Sequence, residues 1–195
     1  MKVIGLTGGI ATGKSEVSKI LLKQAIPVFD TDAAVHELYN NGKAAAQLRD
    51  ICPQAINGKI VDRRVLSQLI IQNPELLNKI EAIIHPLVRK AETEFLAQAK
   101  AANQRIAVVD SPLLIETGHH NDMDYVVLVD ASLENQTQRA MARPGMTVDK
   151  LKLIFAKQMS AGQKRKQSDF IIENNATLAE LETQINLIFA KLADH

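Results

Sequence analysis

Residues 2–15 read KVIGLTGGIATGKS, and this stretch decides the fold. Its first six residues form a short β-branched run that is typical of a buried strand. A turn follows at Gly8-Gly9, and helix-favouring residues begin at Lys14. Residues 8–15 match the spacing G-x-x-x-x-G-K-[ST] at every defined position, in the strand–loop–helix context that gives this pattern its meaning.

Each part of the pattern suits a polyphosphate. Glycines let the loop turn with its N–H groups pointing inward, which makes a nest for an anion. The helix that begins near Gly13 adds the positive end of its dipole. Lys14 supplies a point charge to the β- and γ-phosphates, and the Ser15 hydroxyl reaches Mg²⁺. The sequence therefore predicts a P-loop that binds a nucleoside triphosphate.

Four further stretches are predicted to be strands: residues 26–30 (IPVFD), 105–110 (RIAVVD), 125–130 (YVVLVD) and 170–172 (FII). Helical patterns separate them, and strands joined by helical crossovers form a parallel sheet with helices on both faces. Residues 32–102 contain no convincing strand, so we expect a helical insertion there. The predicted fold class is α/β, with a doubly wound, mainly parallel five-stranded sheet, the helical insertion and a helical lid.

Local signals place the helix ends in the second half of the chain. Ser132 should cap a helix that ends near Arg143, and Thr147 should cap the next one, which we expect to reach about residue 161. Residues 73–102 are helical by pattern, but His85-Pro86 should kink or break that helix.

The last helix carries a capping box, Thr177 with Glu180. Its predicted apolar face comprises Leu178, Leu181, Ile185, Ile188 and Leu192.

Composition excludes several classes of protein. The 23 Lys and Arg residues nearly balance 22 Asp and Glu, which argues against a dedicated nucleic-acid binder. The single cysteine, Cys52, excludes a disulfide framework and a multi-cysteine metal site, and it fits a reducing cytoplasm. We expect no membrane span, because no apolar run approaches about 20 residues. We also expect no secretory leader, because Gly8-Gly9 interrupts the short apolar start.

A P-loop that serves a small-molecule kinase needs a base, an acceptor pocket and mobile cations. Asp32 lies at the carboxyl end of the second strand, where it suits a base, although it also fits the cap of the next helix. Asp110 ends the third strand and could hold Mg²⁺ through water. Arg139 and Arg143, four residues apart, should share one helix face before Pro144-Gly145, as in a flap that closes on phosphates. Residues 163–166 (QKRK) are interpreted as a solvated helix end.

Several segments of the chain, between Lys2 and about residue 175, resemble those of the dephospho-CoA kinase family and follow one another in the same order. They are residues 4–15, Val28-Phe29-Asp30-Thr31-Asp32, Asp62-Arg63 with Leu66, Ile84-His85-Pro86-Leu87-Val88, Asp110-Ser111-Pro112-Leu113-Leu114-Ile115-Glu116, Gln136 with Arg139 and Arg143, Gly145-Met146-Thr147, Gln158, and residues 168–174. Three of these segments resemble the family's lid: Gln136 with Arg139 and Arg143, Gly145-Met146-Thr147, and Gln158.

The resemblance implies a fold of the P-loop kinase type in one unit. Its core would comprise residues 1–31, 103–135 and 167–195, its acceptor-binding region residues 32–102, and its lid residues 136–166. It also implies transfer of the ATP γ-phosphoryl group to the ribose 3′-hydroxyl of dephospho-CoA, the final step of coenzyme A biosynthesis. ATP and dephospho-CoA would be its partners and Mg²⁺ its cofactor, in a cytoplasmic monomer or weak homo-oligomer with no nucleic acid and no membrane.

Site residues follow from the same resemblance, together with the residues named above. The catalytic residues would be Asp32 as base, Lys14 and Arg139. The ATP-binding residues would be Gly8, Gly9, Ala11, Thr12, Gly13, Lys14, Ser15, Glu16, Arg143 and Asn174. The acceptor-binding residues would be Asp32, Arg63, His85, Arg89, Asp110 and Leu113. Mg²⁺ would meet Ser15, with Asp110 as a candidate through water.

The sequence departs from the family pattern at two loop positions, at Glu16 after them, and at Ser168, which replaces a common Ala. Ala11-Thr12 stands where Gly-Ser is usual, and Glu16 stands where Thr is usual. Two other functions remain open from the residues alone. One is a kinase for a nucleoside, nucleotide or sugar, and the other is a switch that hydrolyses ATP slowly and signals through its insertion.

Overall fold

The structure is a computed structural model that describes residues 1–194, except for the Lys157 and Asp194 side chains. The strands are β1 (Lys2–Gly8), β2 (Val28–Asp30), β3 (Ile56–Asn57), β4 (Ile60–Val61), β5 (Ile106–Asp110), β6 (Tyr125–Asp130) and β7 (Phe170–Glu173). The helices are α1 (Lys14–Lys23), α2 (Thr31–Asn40), α3 (Lys43–Leu48), α4 (Arg63–Gln72), α5 (Glu75–Ala101), α6 (Leu133–Met141), α7 (Val148–Lys157), α8 (Ala161–Lys166) and α9 (Leu178–Asp194). Two compact units are present, residues 30–98 and the rest of the chain.

The main sheet has five strands in the order β2-β5-β1-β6-β7. Strand β1 pairs in parallel with β5 and β6, and β6 pairs in parallel with β7. Leu6 therefore lies beside Asp110 on one side and Val127 on the other. Because paired parallel strands end at the same edge, the loops after β1, β5, β6 and β7 are neighbours. The five predicted strands and the predicted fold class are confirmed.

One apolar cluster joins the sheet to α1 and α9. Its fully buried members include Ile4, Leu6, Val17, Leu21, Val108, Val127, Val129 and Ile185. The predicted capping box at Thr177 is confirmed, because Glu180 N donates to Thr177 Oγ1 and Thr177 N donates to Glu180 Oε2. The predicted apolar face was wrong at its first residue. Leu178 starts the helix and is exposed, whereas Phe189, which was not predicted, is buried.

The region predicted as a lid contains one more helix break than expected. The caps Ser132 and Thr147 are confirmed, but the helix after Thr147 ends at Lys157 instead of residue 161. Ser160 then starts α8 with a capping box to Gln163. The pattern S-x-x-Q at residues 160–163 is the signal for this second start, and it was missed.

The second unit is helical around its own core, in which Leu38, Leu48, Cys52, Leu66 and Ile80 are buried. It also contains the β3–β4 hairpin, so the prediction of no strand in this region was wrong. The hairpin turns at Gly58, where φ is 61°, and a glycine at the first position of a two-residue loop is the sequence signal for such a turn.

Helix α5 runs through Pro86 without the predicted break. A proline in a helix interior costs about 3 kcal/mol, because one hydrogen bond is lost and the ring crowds the preceding turn. Burial of Ile80 and Ile84 in the second core, just before Pro86, stabilises the continuous helix against this cost. Among the described residues, no helix is both long and apolar enough to cross a membrane.

Candidate active site

The loop between β1 and α1 forms the expected strand–loop–helix turn. Gly13 precedes the helix with φ at 97° and caps it without a side chain. A Cβ on Gly13 would lie 2.0 Å from the Asn174 amide nitrogen, so only glycine fits both the backbone and the space. The uncapped start of α1 faces the loop, which is the arrangement that binds phosphate at helix N-termini.

The two loop positions that depart from the family pattern have different consequences. Ala11 has φ at 57°, a left-handed conformation that disfavours any residue with a Cβ. Thr12 is buried, and its hydroxyl donates a 3.0 Å hydrogen bond to Gly9 O. The third departure, Glu16, pairs with Lys19 one turn later at 3.2 Å. Alanine therefore strains the loop, whereas threonine closes its turn.

Lys14 and Asp110, which were predicted separately, contact each other. The Lys14 ammonium pairs with Asp110 Oδ1, and the Ser18 hydroxyl donates a 2.6 Å hydrogen bond to Oδ2. Asp110 is only 1% exposed, so this carboxylate is a buried counter-charge and not a surface group. Sequence reasoning missed Ser18, although its position one turn after Lys14 places both on the same face of α1.

Arg139 and Asn174 meet at the backbone of Thr12. The Asn174 side-chain amide donates to Thr12 O at 2.8 Å, and Arg139 Nη1 reaches the same oxygen at 3.5 Å. Arg139 Nη2 also donates to Asn174 O at 3.0 Å. These contacts fix the Thr12 carbonyl, and both residues lie against Gly13. Their hydrogen-bond partners are backbone carbonyls, so the guanidinium charge is not neutralised by them.

Arg143 does not lie on the same helix as Arg139, so the prediction of a shared helix face was wrong. Helix α6 ends at Met141, and Arg143 is exposed in the turn that follows. Its amide bonds to Ala140 O at 3.0 Å, an i→i−3 contact that ends the helix before Pro144. Its proposed role with ATP stays a prediction.

The basic run at residues 163–166 is not simply a solvated helix end. Lys164 is 2% exposed and pairs with Glu116, while Arg165 pairs with Asp130 at 2.7 Å and Glu173 at 2.9 Å. Hydrogen bonds to Glu173 and then Asp130 raise the pKa of Arg165. The acids that end β6 and β7 were the available signal, since the edge of a parallel sheet gathers strand-end residues.

Asp30, and not Asp32, caps α2. Ala33 N donates a 3.0 Å hydrogen bond to Asp30 Oδ1, because the helix starts at Thr31, two positions earlier than a cap at Asp32 requires. Asp32 therefore lies in the first turn and is exposed. The cap interpretation of Asp32 was wrong, and its role as a base stays a prediction.

The basic acceptor candidates belong to the second unit and are exposed. Arg63 begins α4 after the cap Asp62, and its Nη1 lies 3.4 Å from His36 Nδ1. Burial raises the pKa of Tyr39, and the charge of Arg63 opposes that rise. His85 and Arg89 are one turn apart on α5 and share a face. The remaining acceptor candidate, Leu113, lies in the first unit with 44% exposure.

The protein-family model for dephospho-CoA kinase matches residues 2–180 of the chain. The chain belongs to the dephospho-CoA kinase family. This family catalyses the last step of coenzyme A biosynthesis with ATP. The family match decides against the other two functions that the residues left open, a kinase for another small molecule and a slow ATPase switch.

Relatives with this name match almost the whole chain. The dephospho-CoA kinase of Mesorhizobium japonicum is 43% identical over 192 residues, which is 98% of this chain and 97% of the relative. A crystal structure from Thermus thermophilus is 34% identical, with a TM-score of 0.84 over 98% of this chain and 97% of that one. The chain therefore matches both that relative and that structure over nearly all of its residues.

The scaffold itself is shared more widely than the activity. Shikimate kinase from Bacteroides thetaiotaomicron has a TM-score of 0.55 with 16% identity, over 98% of each chain. At that identity the likeness shows the P-loop kinase fold alone. The fold therefore does not identify the phosphoryl acceptor, whereas membership of the dephospho-CoA kinase family does.

Proposed function

We propose that this chain transfers the γ-phosphoryl group of ATP to the ribose 3′-hydroxyl of dephospho-CoA at its P-loop, giving CoA and ADP. The observation that carries this proposal is the convergence of Asp110, Arg139 and Asn174, from three distant parts of the sequence, on the P-loop with its Lys14. Phosphoryl transfer needs little covalent chemistry from the protein, so positioning and charge stabilisation dominate its catalysis.

Lys14 and Arg139 supply the positive charge. Asp110 pairs with Lys14, and the phosphates of ATP would compete with this carboxylate for the same ammonium. Arg139 reaches the loop from α6 with its charge available for the transferring oxygens. Arginine contacts of this type are worth about 10³–10⁵ in rate, more than the roughly 10²–10⁴ of a general base. Arg143 is proposed to join them from the exposed turn after α6.

Asp32 is proposed to take the proton of the acceptor hydroxyl. Its place in the first turn of α2 puts the carboxylate at the positive end of the helix dipole. The cap function belongs to Asp30, so catalysis by Asp32 does not compete with helix capping.

The acceptor is proposed to meet Arg63, His85 and Arg89 in the second unit, with Asp110 and Leu113 contributing from the segment after β5. Exposed guanidinium groups suit the phosphates of dephospho-CoA, because their planar forks bind phosphate oxygens in pairs. The exposed Leu113 side chain offers an apolar contact.

Ser15 fits a Mg²⁺ ion that is held mainly by ATP. The residue is exposed in the first turn of α1, and its hydroxyl is a hard oxygen ligand. Among the described residues, no cluster of three or more His, Cys, Asp or Glu side chains could hold a metal ion, which suits an ion that uses phosphate oxygens and few protein ligands. When bound, Mg²⁺ would neutralise charge on the β- and γ-phosphates. Asp110 is a weaker candidate because Lys14 and Ser18 already contact both of its oxygens.

We propose that the protein works in the cytoplasm as a monomer or weak homo-oligomer, with ATP and dephospho-CoA as its partners. The support is that the sequence has one cysteine, the buried Cys52, since a reducing compartment suits a chain without disulfides.

One assay tests the proposed reaction. ADP release from Mg-ATP is measured with and without dephospho-CoA, and the acceptor is analysed by mass spectrometry. We expect release to depend on dephospho-CoA, with a product heavier by one phosphoryl group. Equal ADP release without the acceptor would contradict the proposal.

A further inference from the structure

The linker Gln158–Ser160, between α7 and α8, lies against the P-loop. The Ile10 amide of the loop donates a 3.1 Å hydrogen bond to Gln158 Oε1. A Cβ on Gly9 would lie 3.6 Å from the same oxygen, so the contact is close without being crowded. All three linker residues also line a cavity of ≈ 310 Å³ beside Gly9 and Thr12. The linker therefore forms part of the wall of the cavity beside the P-loop.

Glu116 fixes this linker from the other side. Its Oε1 accepts a 3.2 Å hydrogen bond from Met159 N, the residue next to Gln158. Neighbouring residues of an extended chain point to opposite sides. Met159 directly follows Gln158, so the hydrogen bond to Glu116 fixes the backbone from which the Gln158 side chain reaches Ile10.

Lys164 neutralises the carboxylate in a buried setting. Its ammonium lies 2.9 Å from Glu116 Oε1, and the two side chains are 2% and 17% exposed. The same ammonium donates to Pro112 O at 3.2 Å, and the Thr7 hydroxyl donates to that carbonyl at 3.4 Å. Thr7 directly precedes the P-loop. These contacts thus connect the residue before the P-loop, the segment after β5, and the linker.

We infer that Glu116 is a positioning residue for phosphoryl transfer: by holding the Met159 amide it keeps Gln158 on Ile10, so that the linker shields the P-loop from water. This inference rests on the proposed function. Enzymes that transfer a phosphoryl group to an alcohol must keep water from the same phosphorus, and covering segments do this by excluding solvent. Glu116 touches neither substrate in this role and acts through Gln158.

Two double variants separate the hydrogen bond from the ion pair. Lys164→Met with Glu116→Gln removes both charges but keeps an oxygen that accepts from Met159 N. Lys164→Met with Glu116→Met removes the same charges and that oxygen as well. Both pairs are uncharged and of similar volume, so neither leaves an unpaired buried ion.

The readout is the ratio of ADP released to CoA formed, which does not depend on the fraction of protein that is folded. We expect the Glu116→Met double variant to raise this ratio and to lose about 10²-fold in kcat, as misplacement by about 1 Å does in other enzymes. The Glu116→Gln double variant should keep the wild-type ratio. The inference is overturned if the two double variants have the same ratio, whether raised or not.

Two single variants keep the test decisive if the double variants do not fold. Gln158→Ala removes the contact with Ile10 without touching the buried pair, and it should raise the ratio as Glu116→Met does. Glu116→Gln with Lys164 intact should not raise it. An unchanged ratio in Gln158→Ala overturns the inference. Wild-type ADP release is measured first with and without dephospho-CoA, so that failure of the proposed reaction itself is recognised separately.

Discussion

Ser18 Oγ lies 2.6 Å from Asp110 Oδ2 and donates a hydrogen bond to the carboxylate that neutralises Lys14. The Lys14 ammonium, which is proposed to bind the phosphates of ATP, is therefore paired with a buried carboxylate. Any change in Asp110 should alter both the stability of the free protein and its response to ATP.

Asp110→Asn should destabilise the free protein and increase its stabilisation by Mg-ATP. The variant leaves Lys14 without its counter-charge, and removing one partner of a buried pair costs about 3–5 kcal/mol. Phosphate oxygens then supply the missing negative charge, and ligand binding to the folded state raises Tm. Thermal unfolding with and without Mg-ATP measures both effects. The control is Asp124→Asn, which changes an exposed carboxylate that accepts from Val3 N at the other end of β1. A nucleotide-induced Tm shift no larger than that of the wild type would contradict the prediction.

Arg139→Ala should lower kcat by at least about 10³, the scale of arginine contacts to a transferring phosphoryl group. The matched control is Lys152→Ala, which removes an exposed cation from α7. Steady-state rates of CoA formation compare the two. Wild-type turnover in Arg139→Ala would remove this residue from the site.

Asp32→Asn should cause a severe loss of kcat while ATP binding is retained, because the amide cannot take the acceptor proton. Asp30→Asn is the control, since asparagine caps a helix as well as aspartate does and the 3.0 Å contact with Ala33 N can persist. Calorimetry gives the Kd of ATP, and the coupled assay gives kcat. If Asp32→Asn turns over at a normal rate, the acceptor proton leaves by another route.

Ala11→Gly should stabilise the protein by about 1 kcal/mol, because a left-handed residue with a Cβ costs about 1–2 kcal/mol and the extra chain entropy of glycine offsets part of that gain. Ala25→Gly should give a similar gain, since φ at Ala25 is 59° and at Ala11 57°. Urea unfolding measures both. A loss of stability in Ala11→Gly would show that its alanine methyl, which is 7% exposed, contributes more by packing than the backbone strain removes.

Stability should fall in alkaline solution, and Cys52 should contribute to the fall. Burial raises the pKa of the Cys52 thiol above its usual value of 9.0. Between the unfolded and folded pKa, the folded state binds more protons, so unfolding becomes easier as the pH rises. The contribution of Cys52 is thus complete below about pH 9 and is lost as the pH rises through the folded pKa. Cys52→Ala should show a shallower decline in the free energy of unfolding from pH 9 to pH 10.5. Equal slopes would mean that other groups cause the whole decline.

Local patterns in the sequence determined the strands, most helix starts and the phosphate-binding loop. The run KVIGLT at residues 2–7, the caps Ser132 and Thr147, and the capping box at Thr177 each depend on residues within a few positions of one another. Such short-range preferences act in the same way whatever surrounds them. The errors among the local predictions, at Asp30, Ser160 and Gly58, concerned signals that were present in the sequence and missed.

Tertiary structure alone decided which polar groups meet. Asn174 bonds to Thr12 across 162 positions, Ser18 to Asp110 across 92, and Lys164 to Pro112 across 52. The parallel sheet causes these encounters, because it brings the carboxyl ends of strands from distant parts of the chain to one edge. The same sheet makes Lys164 one of the most buried side chains, although residues 163–166 were predicted to be a solvated helix end. A charged residue can be buried only beside a partner of opposite charge, and the folded chain, not the neighbouring sequence, supplied Glu116.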